Sequence, residues 1–394
     1  MHVMHVMASL SPSGAGVYEA VLGATRAFVQ GGAGRVTIAA AADTAESWPQ
    51  VRRAWEEAGA EVIALPRLAF VCGAFRSVRV REKARLVDVV HGHGLWSGAS
   101  VVAAALARQL DRPLVISPHG MLEPWARRHH GRRKWLSWTM AQRAAVSGAD
   151  LLQTMSEPEA ASCRAAGLLQ PIVVNPVGIE IPAGVSKRGT DGETRQTSGL
   201  RTCLFLARLH PIKGLSMLLE AWSIVRPADW RLVIAGPDEG GYRAAMERIA
   251  SDLGIADDLA FVGPVYGATK TKLLADADLF VLPSHSENFG VVIAESLAAG
   301  VPVITTTGTP WSMLPARGAG WWVPPDGASL AAALQEATSL PPRVLHEMGE
   351  RGRTLASDRC DWSAIATTSR NAYRWLLRGG SAPSAICFAE QTTG

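Results

Sequence analysis

The sequence predicts an α/β fold built from two doubly wound, mainly parallel sheets, and three observations carry that reading. Short apolar runs alternate with segments of helical periodicity along most of the chain. The runs are nearly continuous in apolar residues, as in strands buried on both faces. The rhythm breaks once, over the polar Gly-, Ser- and Thr-rich stretch Ile181 to Gly199, and then restarts; an exposed linker between domains reads this way. A chain of 394 residues also exceeds one ordinary core.

Taken in order, His2 to Met7 is the first strand. The small-residue turn Ser11 to Gly16 follows, then a helix over Val17 to Val29. Arg35 to Ala42 and Glu61 to Leu65 read as strands around a helix at Trp48 to Ala58. Val87 to His93, Leu114 to Ser117 and Leu151 to Thr154 continue the series. Beyond the linker, strands are expected at Cys203 to Leu206, Arg231 to Ala235, Ala260 to Val262, Leu279 to Pro283 and Val301 to Thr305. Helices fall between them, as at Leu215 to Val225 and Tyr242 to Leu253. The expected domains are 1–182 and 201–361, joined by a linker at 183–200. Gly379 to Gly394 reads as a frayed tail. Ligands of such sheets sit at the carboxyl ends of the strands, and two facing domains would make a cleft.

Composition excludes several classes. Hydrophobic residues make up 48% and charged residues 19%, so the chain is globular rather than disordered. The formal net charge of +4 is uneven, net +5 over residues 1–180 and −2 over 201–394. That excess suits phosphates or an anionic surface but is too small for a nucleic-acid binder. Five scattered cysteines, without a C-x-x-C or zinc-ligand spacing, argue against a disulfide framework and fit a reducing compartment. No basic residue precedes a long apolar N-terminal core, so a signal peptide is not expected. The uncharged stretch Ser296 to Ala316 is broken by Gly300, Pro302, Gly308, Pro310 and Pro315, which argues against a membrane span.

Two segments carry the chemistry. In Ser286 to Glu295, Glu287 lies just outside a helix start and Glu295 more than a turn inside it. A helix N-terminus offers free N–H groups to a phosphate or a sugar hydroxyl; alone, the spacing equally suits a solvated helix. In Phe205 to Gly214, Arg208 and Lys213 flank a Pro-containing turn at a strand's carboxyl end. They could neutralise a diphosphate or be two surface cations near a helix start.

Order and combination are more specific. The chain runs "ARLHPIKGL", "LVIAGPDEGGY", "FVGPV" and "ADLFVLPSHSENFGVVIAESLAAGVPVITT" over about Leu204 to Pro325, after "HGHGLW" and "SPHGMLEPWA" in the first half. This resembles the GT4 family of retaining glycosyltransferases with the GT-B fold, and bacterial enzymes of exopolysaccharide and lipopolysaccharide synthesis within it. The resemblance implies that Arg208 and Lys213 hold the donor diphosphate. It places Glu287 near the donor sugar and Glu295 on the nucleotide ribose. It gives Asn288, Phe289 and Gly290 a turn whose N–H groups meet sugar hydroxyls or phosphate. His119 faces the transferred sugar, and the loop around Gly14 and Gly16 closes on the phosphates, although "PSGAGV" lacks the paired glycines of many relatives. A C-terminal helix at about 362–378 is implied to cross back to the first domain.

The reaction so implied moves a hexosyl group from a UDP- or GDP-sugar to a growing lipid-linked surface glycan, with retention. No metal or other cofactor is expected. The location implied is cytoplasmic, peripheral at the inner face of the cell membrane. Glu287 as a covalent nucleophile stays open, as do an epimerase, a phosphorylase or an inactive sugar-nucleotide binder on the same fold. Asp276 and Asp278 read as helix-end and turn residues rather than metal ligands. His91 and His93 show no third ligand in the sequence and read as cleft-lining. The stretch Trp125 to Trp138, with five Lys or Arg among tryptophans, reads equally as a lipid-headgroup surface or a solvated helix.

Overall fold

The computed structural model describes residues 1–10, 15–41, 48–65, 86–128, 134, 137–181 and 199–389. They form two units, Met1–Gly178 with Trp362–Gly394, and Ile179–Asp361. Unit 1 holds β1 (His2–Met7), β2 (Arg35–Ala41), β3 (Ala60–Leu65), β4 (Val89–His93), β5 (Leu114–Ser117), β6 (Leu151–Thr154) and β7 (Ile172–Val174). Unit 2 holds β8 (Arg201–Leu206), β9 (Trp230–Ala235), β10 (Leu259–Gly263), β11 (Leu279–Leu282), β12 (Val303–Thr306) and β13 (Gly320–Val323). A last strand, β14 (Ile386–Cys387), returns to unit 1.

The sheet orders are β14-β7-β6-β5-β4-β1-β2-β3 and β10-β9-β8-β11-β12-β13. All pairings are parallel except β14 on β7. In both sheets the chain starts in the middle, winds outward, and reverses from the starting strand. The reversal lies between β1 and β4 in unit 1 and between β8 and β11 in unit 2, the positions where doubly wound sheets bind ligands.

Alternation along the strands of unit 1 separates two cores. Val3, Met7, Val89 and Val115 share one with Phe28 and Tyr373. Met4, Val6, Val90 and Ile116 share the other with Val102 and Leu106, from the helix Ala99–Leu110. The first face is covered by the helices Ala15–Gln30 and Trp362–Arg378. The indole of Trp362 seats this packing. A Cβ at Gly23 would fall 2.1 Å, and one at Gly178 2.2 Å, from a ring atom. Asn175 Nδ2 then donates to Ile365 O at 3.2 Å and Ser369 Oγ at 2.8 Å.

The expectation of a frayed tail is overturned over its described residues. Ile386 pairs with Val173 and is buried in the first core, so the edge of β7 is covered. Unit 2 begins at Ile179 because its N–H donates to Cys360 O at 2.9 Å and it bridges to Asp361. Residues 182–198, most of the expected linker, lie outside the described residues. Among the described residues no helix is long and apolar enough to cross a membrane.

Candidate functional site

In unit 2 the candidate residues sit where β8 and β11 end. The chain leaving β8 is tied to the chain leaving β9: Leu209 N–H donates to Pro237 O at 2.9 Å. Arg208 there forms an ion pair with Glu239; both side chains are about half exposed. His210 Nδ1 accepts from Ile212 N–H at 3.2 Å, capping the short turn Pro211–Lys213. The same chain is tied to the one leaving β11, where His285 N–H donates to Ile212 O at 2.8 Å.

Gly214 makes this approach feasible. Its φ is +70°, and a Cβ there would lie 2.1 Å from Pro283 O, so a side chain would be strained and would also push the two loops apart. Lys213 meets Glu287 across the junction, with the side chains only 15% and 12% exposed. Ser284 Oγ donates to the same carboxylate oxygen, Glu287 Oε1, at 2.9 Å. Glu287 N–H donates to Gly308 O at 2.8 Å. A Cβ on Gly308 would come within 2.6 Å of both the Ser284 and His285 carbonyl oxygens.

The turn then enters the helix Val291–Ala298 through Gly290, whose φ is +76°. Phe289 is buried against Trp311, and its carbonyl accepts from Trp311 Nε1 at 2.6 Å. Asn288 and Gly290 thus lead into a helix N-terminus whose free N–H groups are held at the sheet's carboxyl edge. Inside the helix, Glu295 Oε1 accepts from Lys270 Nζ at 2.6 Å, while Glu295 Oε2 is buried without a partner among the described residues. Asp278 is a turn residue, its Oδ2 accepting from Thr202 N–H at 2.8 Å.

In unit 1 the structure supplies what the sequence did not show beside His91 and His93, a third buried histidine. His5 of β1 lies opposite His91 of β4. One donor nitrogen from each of His5, His91 and His93 lies within 4.8 Å of the others. Hydrogen bonds join two of them to each other and tie the third to its surroundings. His5 Nδ1 pairs with His93 Nε2 at 2.7 Å. His93 Nδ1 pairs with His119 Nε2 at 3.0 Å. His91 bonds Tyr373 OH at 2.7 Å through Nδ1 and Ser117 Oγ at 2.8 Å through Nε2. Two nitrogens bound to one tetrahedral zinc at about 2.0–2.1 Å stand about 3.3 Å apart. The 2.7 Å contact fits a shared proton better than a shared ion.

Burial pulls the pKa of His5 and of His119 down to about 4. Burial, reinforced by the neighbouring imidazoles, also holds His91 and His93 well below the usual histidine value. The four rings are therefore neutral at pH 7.

His119 itself is held in an unusual backbone conformation, with φ +55°. The next residue explains how it persists. Gly120 N–H donates to Glu159 Oε1 at 2.6 Å, and Glu159 Oε2 accepts from Met155 N–H at 2.7 Å. Glu159 is 1% exposed, so its charge is carried by these N–H groups. Of the glycine-loop candidates, Gly14 lies outside the described residues. Gly16 is the second residue of the helix Ala15–Gln30, and a Cβ there would meet none of the described residues within 4 Å. Much of Trp125 to Trp138 is likewise outside the described residues. Within it Trp125 is exposed, and Lys134 Nζ sits 5.8 Å over the Trp96 ring.

Arg208, Lys213, Glu287, Asn288, Phe289, Gly290 and Glu295 thus gather at one edge of unit 2, and His119 stands at the corresponding edge of unit 1. Sequence reasoning missed His5, Glu159, Glu239 and Lys270. The "DE" within "LVIAGPDEGGY" was a signal for Glu239; nothing local marks the other three.

The chain matches known proteins along most of its length. Residues 15–178 match the glycosyl transferase 4-like domain, and residues 191–355 match glycosyl transferases group 1. A D-inositol 3-phosphate glycosyltransferase of Actinosynnema mirum is 29% identical over 254 residues, 60% of each chain. A phosphatidyl-myo-inositol mannosyltransferase of Mycobacterium leprae is 31% identical over 212 residues, 52% of this chain and 55% of its own. The chain thus spans a little over half the length of these curated relatives. The crystal structure of Anabaena HepE in complex with UDP and glucose superposes with a TM-score of 0.71 at 21% identity, covering 94% of this chain and 98% of that one; at that identity the likeness concerns the fold. With one of the two family models matched in each unit and with both sheets wound alike, the chain belongs to the GT4-type glycosyltransferases of the GT-B fold.

Proposed function

We propose that the protein transfers a hexosyl group, with retention, from a UDP- or GDP-sugar to a growing lipid-linked surface glycan, without a metal ion. One observation carries the reading: Lys213, Glu287 and the Gly290-capped helix start are assembled by the loops after β8 and β11. Cleaving a sugar–phosphate bond develops negative charge on the leaving diphosphate. A fixed ammonium, a guanidinium and helix N–H groups lower the energy of that charge without reorganising. Arg208 and Lys213 take the diphosphate, and the Asn288–Gly290 turn takes sugar hydroxyls or phosphate. Glu295 takes the ribose, its buried Oε2 lacking a donor that a ribose hydroxyl would supply. His119 faces the sugar. The relatives support a sugar-nucleotide donor, since HepE holds UDP. They also offer a second acceptor class, because the two curated relatives carry inositol phosphate and phosphatidylinositol in their names.

The test is a thermal-shift screen with UDP, GDP, ADP and their glucose or mannose sugars, each with EDTA or Mg²⁺. Transfer assays follow on a lipid-linked glycan and on inositol phosphate. A ligand at 100 times its Kd adds about 2.7 kcal/mol of stability. The reading expects a shift with UDP or GDP that EDTA leaves intact and Glu295→Ala diminishes. No shift with any nucleotide, together with no transfer, would overturn it; transfer to inositol phosphate alone would replace the acceptor.

A further inference from the structure

His5, His93 and His119 form a row of three imidazoles, joined in each case Nδ1 to Nε2, at 2.7 and 3.0 Å. A neutral imidazole has one N–H and one lone pair. His93, bonded on both sides, must donate in one direction and accept in the other. Two N–H groups, or two lone pairs, facing each other at these distances would repel.

Only two arrangements satisfy both bonds. In the first, all three rings carry the proton on Nδ1: His5 donates to His93, His93 donates to His119, and His119 holds Nδ1–H at the free end of the row. In the second, all three carry it on Nε2: His119 donates to His93, His93 donates to His5, and His119 presents a bare Nδ1 lone pair. Going from the second to the first takes one proton in at His119 Nδ1. One proton moves across each of the two bonds, and one leaves at His5 Nε2; water supplies the first proton and takes the last, so no net charge is created.

The surroundings keep the row intact. His91 does not compete for it, because Tyr373 and Ser117 occupy both of its nitrogens; its ring stacks on His93 with centroids 4.2 Å apart. Glu159 anchors Gly120, the neighbour of His119. The free end is the telling atom: His119 Nδ1 is buried and has no partner among the described residues, so a hydroxyl placed there meets a donor or an acceptor according to the state of the row. Burial holds all three rings neutral, which a tautomer switch requires.

We propose that His5 and His93 are positioning residues that set the tautomer of His119, and so decide whether its Nδ1 gives or accepts a hydrogen bond at a sugar hydroxyl. The part concerning the sugar rests on the glycosyltransferase reading above; the coupling of the three tautomers does not.

The test uses full-length protein labelled with ¹⁵N-histidine. Ring nitrogen shifts distinguish Nδ1–H from Nε2–H, and the ten histidines are assigned by single substitutions. In the free protein His5, His93 and His119 should share one tautomer. Unlike tautomers among them would overturn the proposal without touching the proposed activity. With UDP-glucose or GDP-mannose, a change at His119 should appear at His5 and His93 together; a change confined to His119 would count against the coupling. His5→Phe removes the far partner of the row. It should leave His119 in a mixture of tautomers and lower kcat about tenfold, with the donor KM unchanged. An unaltered His119 spectrum and kcat in that variant would also overturn the proposal.

Discussion

Replacing Lys213 by methionine keeps the length of the stem and removes the ammonium from the Glu287 carboxylate. The pair is 15% and 12% exposed, so the stranded carboxylate stays largely out of water. Removing one partner of a fully buried ion pair costs about 3–5 kcal/mol. The residual solvent contact here screens part of that, and about 2–3 kcal/mol is expected. At about 2–4 °C per kcal/mol for a unit of this size, unit 2 should melt about 4–12 °C lower. Adding Glu287→Gln removes the stranded charge and keeps an oxygen for the Ser284 hydroxyl. The double variant should therefore recover at least about 1 kcal/mol relative to the sum of the two single changes. The assay is a double-mutant cycle by differential scanning calorimetry, following the transition of unit 2. Strictly additive losses would show that the two side chains are not coupled, and the account of a preassembled Lys213–Glu287 contact would fall.

Two further outcomes can be checked. Glu159→Gln keeps one carbonyl oxygen but turns an NH₂ toward one of the two N–H groups that the carboxylate serves. One buried donor is then left unpaired, at a cost of about 1–3 kcal/mol. Amide hydrogen exchange at Gly120 or Met155 should accelerate, and unchanged protection at both would remove Glu159 from its anchoring role. For pH, the folded-state values of His5 and His119 are lowered to about 4 from an ordinary 6.5. The unfolded chain therefore binds more protons between those values, and stability rises with pH across that window. It is fully present above about 6.5 and is lost as pH falls toward 4, with a slope of about 1.4 kcal/mol per pH unit for each histidine titrating. Urea unfolding of unit 1 that is equally stable at pH 7 and pH 5 would contradict this.

The sheets were legible because each buried parallel strand is an apolar run bounded by turn residues. Leu151 to Thr154, for example, is a strand at the predicted bounds. The strand Ile386–Cys387 was not, since two residues carry no periodicity and its existence depends on the open edge of β7. The candidate residues of unit 2 were legible as motifs, but their pairing was not. Lys213 and Glu287 are 74 residues apart, and only the adjacency of β8 and β11 brings their loops together. His5 and His93 are 88 apart, and only the adjacency of β1 and β4 makes them neighbours. Glu159 reads as an ordinary acid in the first turn of a helix, the place where acids are commonest. Nothing local tells that this one faces inward.

The return of Trp362–Arg378 and Ile386–Cys387 to unit 1 bears on the order in which the protein matures on the ribosome. Ile179–Asp361 is one unbroken stretch, and all its partners have emerged once Asp361 has. Unit 1 starts before unit 2 yet lacks the Trp362 indole on Gly23 and Gly178, the Tyr373 hydroxyl on His91, and a cover for β7 until that helix and strand are made. While unit 2 is being made, its sheet therefore has one apolar face only partly covered and one edge open, the state in which nascent chains associate wrongly. Unit 1, begun before unit 2, is completed after it, and the His91–Tyr373 bond cannot form until the helix Trp362–Arg378 has emerged.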